Sequence, residues 1–317
     1  MKYQIIIDEE IKEMAAEAVA QGRKLNLKND IVFKSFFSKE CKESAYCRRK
    51  LLSAVIGRTV TETKVLNPEL LPSRNDGKFP RLDIHCKLED GSEVDIELQN
   101  SMYNDDQIKR SVYYAAVLTH NALTAGEQYA ILPHIYQIMF MDFTVTEDKR
   151  LHHSYTFKER TDHRELSDIV QIHHVELPKI TESLKKEAQE LSELEFWSIL
   201  ILSAENEKAA NLLKNLAARK EEIGMAEALL TTMSQDQQEW EKQFGYERFV
   251  HDCISREKYA YTQGIEQGIS QGISQGIAQG ERKRALEDAR RFIHLGLSIE
   301  QIAQGVGLSV DEIQGLQ

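Results

Sequence analysis

Two carboxylates on neighbouring strands are the residues of this chain best spaced to do chemistry. Across residues 81–99 the even positions are apolar (Leu82, Ile84, Cys86, Leu88, Val94, Ile96, Leu98) and the odd ones largely polar, which is the period-two signature of a β-hairpin with one buried face. Facing residues must share a face, so positions of equal parity pair. A two-residue Asp90-Gly91 turn breaks that condition by pairing Asp83 with Leu98, whereas a three-residue Asp90-Gly91-Ser92 loop meets it. Asp83 is then expected opposite Gln99, His85 opposite Glu97 and Lys87 opposite Asp95. Asp83 and Glu97 become diagonal neighbours, close enough to share a hard divalent cation. The same alternation also describes an ordinary hairpin with a solvated polar face; the setting, acids on strands with helices before and after, is what favours chemistry.

Other reactive residue types are less suggestive. Cys41, Cys47, Cys86 and Cys253 form no CxxC pair and read as reduced, apolar thiols. His152-His153 and His173-His174 lack metal-ligand spacing and alternate faces if they lie on strands, and His85 beside two carboxylates does not imply zinc.

The elements that must position the acids follow from periodicity. Residues 8–22 read as a short amphipathic or poorly ordered arm. Asn29-Asp30 then precede Ile31, Phe33, Phe36 and Phe37 at helical spacing, with an Asx residue where an N-cap belongs. Residues 43–56 form a second helix closed by Gly57. Strands are expected at 59–66, 81–88 and 93–99, with a turn-rich loop at 67–80, then a helix at 105–122 and a doubly buried strand at 135–145. Two further strands, 153–158 and 169–177, precede a boundary at Pro178. From 181 to about 262 the composition becomes that of a helical region without candidate ligands.

Charge is unevenly spread. The net charge is −11, yet residues 21–180 carry 23 basic and 23 acidic side chains; residues 181–317 carry 15 and 23. A basic groove for phosphates is therefore compatible with the first block. Its candidates are Arg48-Arg49-Lys50 and the scattered Arg74, Lys78 and Arg81, against a solvated surface for any one cluster. No apolar run of membrane-spanning length and no secretory leader is present, so a cytoplasmic protein without a membrane partner is expected.

Residues 263–280 repeat Gln-Gly-Ile every four residues, which on a helix places Gly and Ile in adjacent, slowly winding stripes. Five glycines cost about 1 kcal/mol each relative to Ala, so the segment is either a flexible linker or a helix held by a partner, with self-association favoured. Residues 281–317 contain two capping boxes, Ser298 with Gln301 and Ser309 with Glu312, and read as a protein-contact helical hairpin; the last helix lacks the basic residues of a groove reader.

Asp83 followed by Glu97-Leu98-Gln99 on the next strand resembles the PD-(D/E)XK nuclease signature, with Gln in the usual Lys place. Asn29-Asp30-Ile31-Val32-Phe33-Lys34, Arg110-Ser111-Val112-Tyr113-Tyr114, Gly126-Glu127-Gln128-Tyr129, the Gln-Gly-Ile repeat and the Gly-Leu-Ser endings extend the likeness. Together they resemble the Rpn family of recombination-promoting nucleases, also described as PD-(D/E)XK nuclease family transposases of bacteria. The likeness covers roughly residues 24–180 and 260–317, and 181–260 in composition only.

The resemblance implies an α/β fold with a restriction-endonuclease-like αβββαβ core, followed by a mostly helical C-terminal region. The organisation is then an arm (1–23), a nuclease domain (24–180), a helical region (181–262), the repeat (263–280) and the hairpin (281–317). It implies a Mg2+-dependent DNA endonuclease, manganese able to substitute, of weak sequence preference, used in recombination or in defence against foreign DNA. A strict transposase role is disfavoured because no separate sequence-reading domain is evident. Asp83, Glu97 and the backbone carbonyl of Leu98 would hold the metal. Gln99 can only orient water, so Lys34, Lys109 or Arg110 would supply the missing cation. Asp30 is either the first-helix acid aimed at the metal or its water, or a helix-start residue meeting free N–H groups. Lys34, and Arg110 with Tyr114 on one helical face, suit DNA contact, while Tyr113 packs inward. The alternative is a catalytically weak or inactive DNA-binding or oligomerising protein of the same fold. Residues 263–317 would form a homo-oligomer, and Met225 or Met233 would allow a short internally initiated C-terminal product to pair with the full chain.

Overall fold

The computed structural model describes residues 5–66, 82–100, 106–217 and 220–316. Two compact units divide the chain, residues 1–248 and 249–317. Among the described residues no helix is long and apolar enough to cross a membrane.

The first unit opens with α1 (Glu9–Ala20), α2 (Asp30–Ser38) and α3 (Lys42–Ile56). The expected arm is thus an ordered helix, whose Ile11, Ala15 and Ala18 are fully buried at helical spacing. Asn29 caps α2, its side chain accepting from the N–H groups of Ile31 and Val32, and Gly57 ends α3 at φ +79°, which only glycine adopts without strain. Strands β1 (Thr63–Val65), β2 (Ile84–Leu88), β3 (Glu93–Gln99), β4 (Ile135–Met141), β5 (His152–Lys158) and β6 (Glu165–Glu176) form one mixed sheet in the order β1-β2-β3-β4-β6-β5. Helix α4 (Gln107–Asn121) makes the crossover between parallel β3 and β4. The α/β fold and the helix-then-three-strands-then-helix-then-strand order expected from the sequence are both present.

Alternation along β2 and β3 sends even positions to a large core with Phe33, Phe36, Phe37, Leu51 and Leu52. Each such fully buried side chain contributes about 1.5–3 kcal/mol through burial. Helix α4 covers the opposite face, Tyr114 and Leu118 meeting Ile135. The larger core does not stop at Pro178. Trp197 of α5 (Glu193–Leu202), Leu213 of α6 (Glu207–Ala217), Leu230 of α7 (Glu221–Ser234) and Trp240 at the start of α8 (Gln237–His294) belong to the same apolar cluster as the sheet. At the head of α2, Lys28 binds Asp142 beyond β4 at 2.6 Å and Glu205 at 2.5 Å, while Asn100 beyond β3 donates to the Lys28 carbonyl at 2.7 Å. These bonds tie α2 to the carboxyl ends of β3 and β4.

In the second unit residues 263–280 are helical within α8, which selects the helix over the linker. Ile265, Ile269, Ile273 and Ile277 are 45–58% exposed, and a Cβ at Gly264, Gly268, Gly272, Gly276 or Gly280 would meet nothing within 4 Å. Both capping boxes form, on α9 (Ile299–Val306) and α10 (Val310–Gln314), and Ala289, Ile302 and Ile313 make a small core.

Candidate active site

The β2–β3 hairpin turns through Glu89-Asp90-Gly91, one residue earlier than the expected Asp90-Gly91-Ser92 loop. Leu88 N–H donates to the Ser92 carbonyl at 2.8 Å, and Gly91 N–H to the Leu88 carbonyl at 3.1 Å. Gly91, at φ +87°, takes the left-handed third position that such a loop requires, and Arg58 clamps Glu89 and Asp90. Register therefore shifts by two: His85 faces Asp95 and Lys87 faces Glu93. His85 accordingly lies by Glu93, its Nε2 3.1 Å from Oε2, rather than by Glu97.

The shift brings Asp83 and Glu97 closer than a diagonal. Asp83 N–H donates to Glu97 Oε1 at 2.9 Å, and Leu98 N–H donates back to Asp83 Oδ2 at 3.2 Å. Lys34, one turn into α2, places Nζ 2.7 Å from Asp83 Oδ1 and 3.0 Å from Asp30 Oδ2. Arg110 on α4 reaches Glu97 Oε2 at 3.0 Å and Gln99 Oε1 at 3.5 Å, and Gln99 donates to Glu97 Oε2 at 3.2 Å. Asp30, Lys34, Asp83, Glu97, Gln99 and Arg110 thus converge. Asn29, not Asp30, supplies the cap of α2, which leaves the Asp30 carboxylate to Lys34.

Four expectations need correction. Tyr114 is buried beneath the Arg110 guanidinium, whose carbon lies 5.0 Å from the ring centre, so it does not present itself to DNA; Tyr113 is the residue that is partly exposed. The rotation of α4 on the sheet explains both, because Ser111, Tyr114 and Leu118 form its inward stripe. Lys109 is 84% exposed and pairs with Asp106, away from the acids. Arg48-Arg49-Lys50 is neither a groove nor a solvated patch: Arg48 is buried and donates to Thr63 and the Phe37 carbonyl, Arg49 donates to the Thr61 carbonyl, and Lys50 pairs with Glu222. Arg74, Lys78 and Arg81 lie outside the described residues.

Crowded burial governs protonation. Burial, then the Asp30 charge, pushes the Asp83 carboxyl up to about 6 against the opposing pull of Lys34. Burial and the Asp83 charge push Glu97 up to about 8 against Arg110. Asp95, fully buried, rises well above its usual value through burial and its two acidic neighbours. Its ladder partner Gln137 is also fully buried, and the Gln137 amide opposes that rise. The sequence carries a trace of this pair, since Asp95 has the parity of Glu97 and Gln137 is the polar intruder in the apolar run of β4.

Among the described residues no three His, Cys, Asp or Glu side chains converge as a ready metal cage. The histidines of β5 and β6 pair within the protein instead: His152 with His173, His153 with Asp148, and His174 with Ser111. The Asp83–Glu97 pair nevertheless offers the donor set of a hard divalent cation, which takes one or two carboxylates and keeps its waters: the two acids are bonded side by side, and the Asp83 charge already bears on Glu97. Among the described residues, buried carboxylates with opposing cations at the carboxyl end of a sheet strand form an arrangement able to bind a metal and a phosphate together.

No curated protein and no solved structure is significantly similar to the chain. A family model described as PD-(D/E)XK nuclease family transposase matches residues 27–260, running through the helical segment that shares the sheet's core and stopping short of the repeat. With well over half of its length matched, the chain belongs to the PD-(D/E)XK nuclease family transposases.

Proposed function

We propose that the protein is a metal-dependent DNA endonuclease that hydrolyses phosphodiester bonds, with Asp83, Glu97 and the Leu98 carbonyl holding Mg2+, or Mn2+ in its place. The observation that carries this reading is the direct bond from Asp83 N–H to Glu97 Oε1, which fixes the two acids side by side with a cation on each flank. A bound divalent ion supplies Lewis acidity to the scissile phosphate and its attacking water. The chain's own groups do the rest. Arg110, held by Glu97 and Tyr114, offers a fixed charge to the phosphate, Lys34 offers a movable one, and the Gln99 amide orients water. Asp30 positions Lys34.

The catalytic unit is assigned to residues 24–180, supported by 181–248. Weak sequence preference, a role in recombination or defence and a bacterial cytoplasmic setting complete the proposal. Supercoiled plasmid tests it: nicking with Mg2+ or Mn2+ that EDTA abolishes is expected, and cutting unaffected by EDTA contradicts it.

A second reading, a weak or inactive DNA-binding, oligomerising protein, draws on the neutral Gln99 and on the exposed isoleucine stripe of the repeat. That stripe supports a homo-oligomer through residues 263–317, to which a short C-terminal product begun at Met225 or Met233 would also bind.

A further inference from the structure

We propose that Lys34 is the site's built-in counter-ion, and that its ammonium and a divalent cation compete for Asp83. The inference rests on reading Asp83 and Glu97 as a metal-binding pair. Asp83 has two oxygens to offer. Oδ2 accepts the Leu98 N–H at 3.2 Å, a backbone bond that ties it to β3, and Oδ1 accepts the Lys34 ammonium at 2.7 Å. An ion drawing on Asp83 therefore meets Lys34 at the same oxygen, where a single and a double positive charge repel.

The two cations of the site differ in how easily they yield. The Arg110 guanidinium is held by Glu97, by Gln99 and by the ring of Tyr114, a planar fork with three anchors. Lys34 stands on the four-carbon stem typical of its type, is 30% exposed, and among the described residues pairs with two carboxylates, Asp83 and Asp30. It can withdraw from Asp83 by side-chain rotation while keeping Asp30, which lies one turn back on the same helix. Asp30 thus gives the displaced ammonium a second partner, so the exchange does not strand a charge. A chain so arranged tunes its metal affinity through the competition: the ion must outbid an ammonium already in place.

Two measurements on the full chain test this. In the unmodified protein, the 15N resonance of the Lys34 ammonium, assigned by its loss in Lys34→Arg, should shift when Mg2+ is added to saturation. By isothermal titration at one fixed pH, Lys34→Met and Lys34→Gln should bind Mn2+ at least about fivefold tighter than the parent, and Lys34→Arg within about twofold of it, as expected when a competing charge is removed or kept. A Lys34 signal unmoved by saturating Mg2+, or neutral variants whose Mn2+ affinity equals or falls below the parent's, overturns the proposal while leaving the metal site standing. A parent that binds neither ion overturns both. Should the neutral variants fail to fold, the resonance of the parent decides alone.

Discussion

Arg110 is stacked over Tyr114, with 5.0 Å between the guanidinium carbon and the ring centre. The contact gives Tyr114 a task different from touching DNA: it holds the cation that meets Glu97. Burial pushes the phenol up to about 12, so the ring stays neutral across the working range. Tyr114→Phe should therefore keep DNA affinity and cutting within about threefold, because the ring face survives. Tyr114→Ala should cost about 3–5 kcal/mol of stability and lower cutting together with it. Binding by fluorescence anisotropy and urea denaturation check the pair, and a tenfold loss of DNA affinity in Tyr114→Phe would restore a direct contact.

Removing the guanidinium itself exposes the cost of burying Glu97, which is 0% exposed. Arg110→Ala should lose about 1–3 kcal/mol, more in alkaline than in acid solution, since in acid the carboxyl carries its own proton. Urea midpoints measured on both sides of pH 8 test the difference, and an equal loss at both contradicts it.

Glu97 and Asp83 each make folding less favourable as pH rises. Both carboxyls are raised in the folded protein, to about 8 and about 6, from 4.5 and 3.8. Between those limits the folded chain binds more protons than the unfolded chain, so their stabilising contribution is complete in acid and is lost as pH rises through the folded values. Glu97→Gln removes its share of that slope. Its melting temperature should match the parent's near about pH 4 and exceed it by several degrees near about pH 9, where about 1 kcal/mol is worth a few degrees. A variant less stable than the parent in alkali would show that the charged Glu97 is net stabilising.

The repeat gives a prediction on assembly. Ile269→Ser with Ile273→Ser should convert an oligomer to a monomer in light scattering, because both residues lie on the exposed stripe. Gly268→Ala with Gly272→Ala should raise helicity, since the new Cβ atoms meet nothing within 4 Å. If Gly also admits the partner backbone, that same variant associates more weakly; unchanged association would show that isoleucine alone makes the contact.

The hairpin shows how far sequence reaches. Parity placed Asp83, His85, Asp95 and Glu97 on one face, and the structure agrees, but parity fixes register only to within steps of two. The remaining choice was made by Gly91 in a left-handed turn and by Arg58 from a distant helix end, and of these Gly91 alone was locally visible. Tyr113 and Tyr114 were exchanged because helical spacing gives faces, whereas which face meets the sheet depends on how α4 is docked. The Lys34–Asp83 pair joins a helix to a strand far along the chain, so composition could name Lys34 as a candidate without choosing it over Lys109. The helical segment after Pro178 was legible as helix; its sharing of the sheet's core through Trp197 and Trp240 was not, because burial partners are a property of packing.

The most direct test of the central claim is cleavage of supercoiled plasmid by the parent, Asp83→Ala and Glu97→Ala, each confirmed as folded by circular dichroism, with Mg2+, Mn2+ or EDTA. The account predicts metal-dependent cutting by the parent and its loss by at least about a hundredfold in both variants, as expected when one of two paired carboxylates is removed. Folded Asp83→Ala or Glu97→Ala protein that cuts as fast as the parent would contradict it.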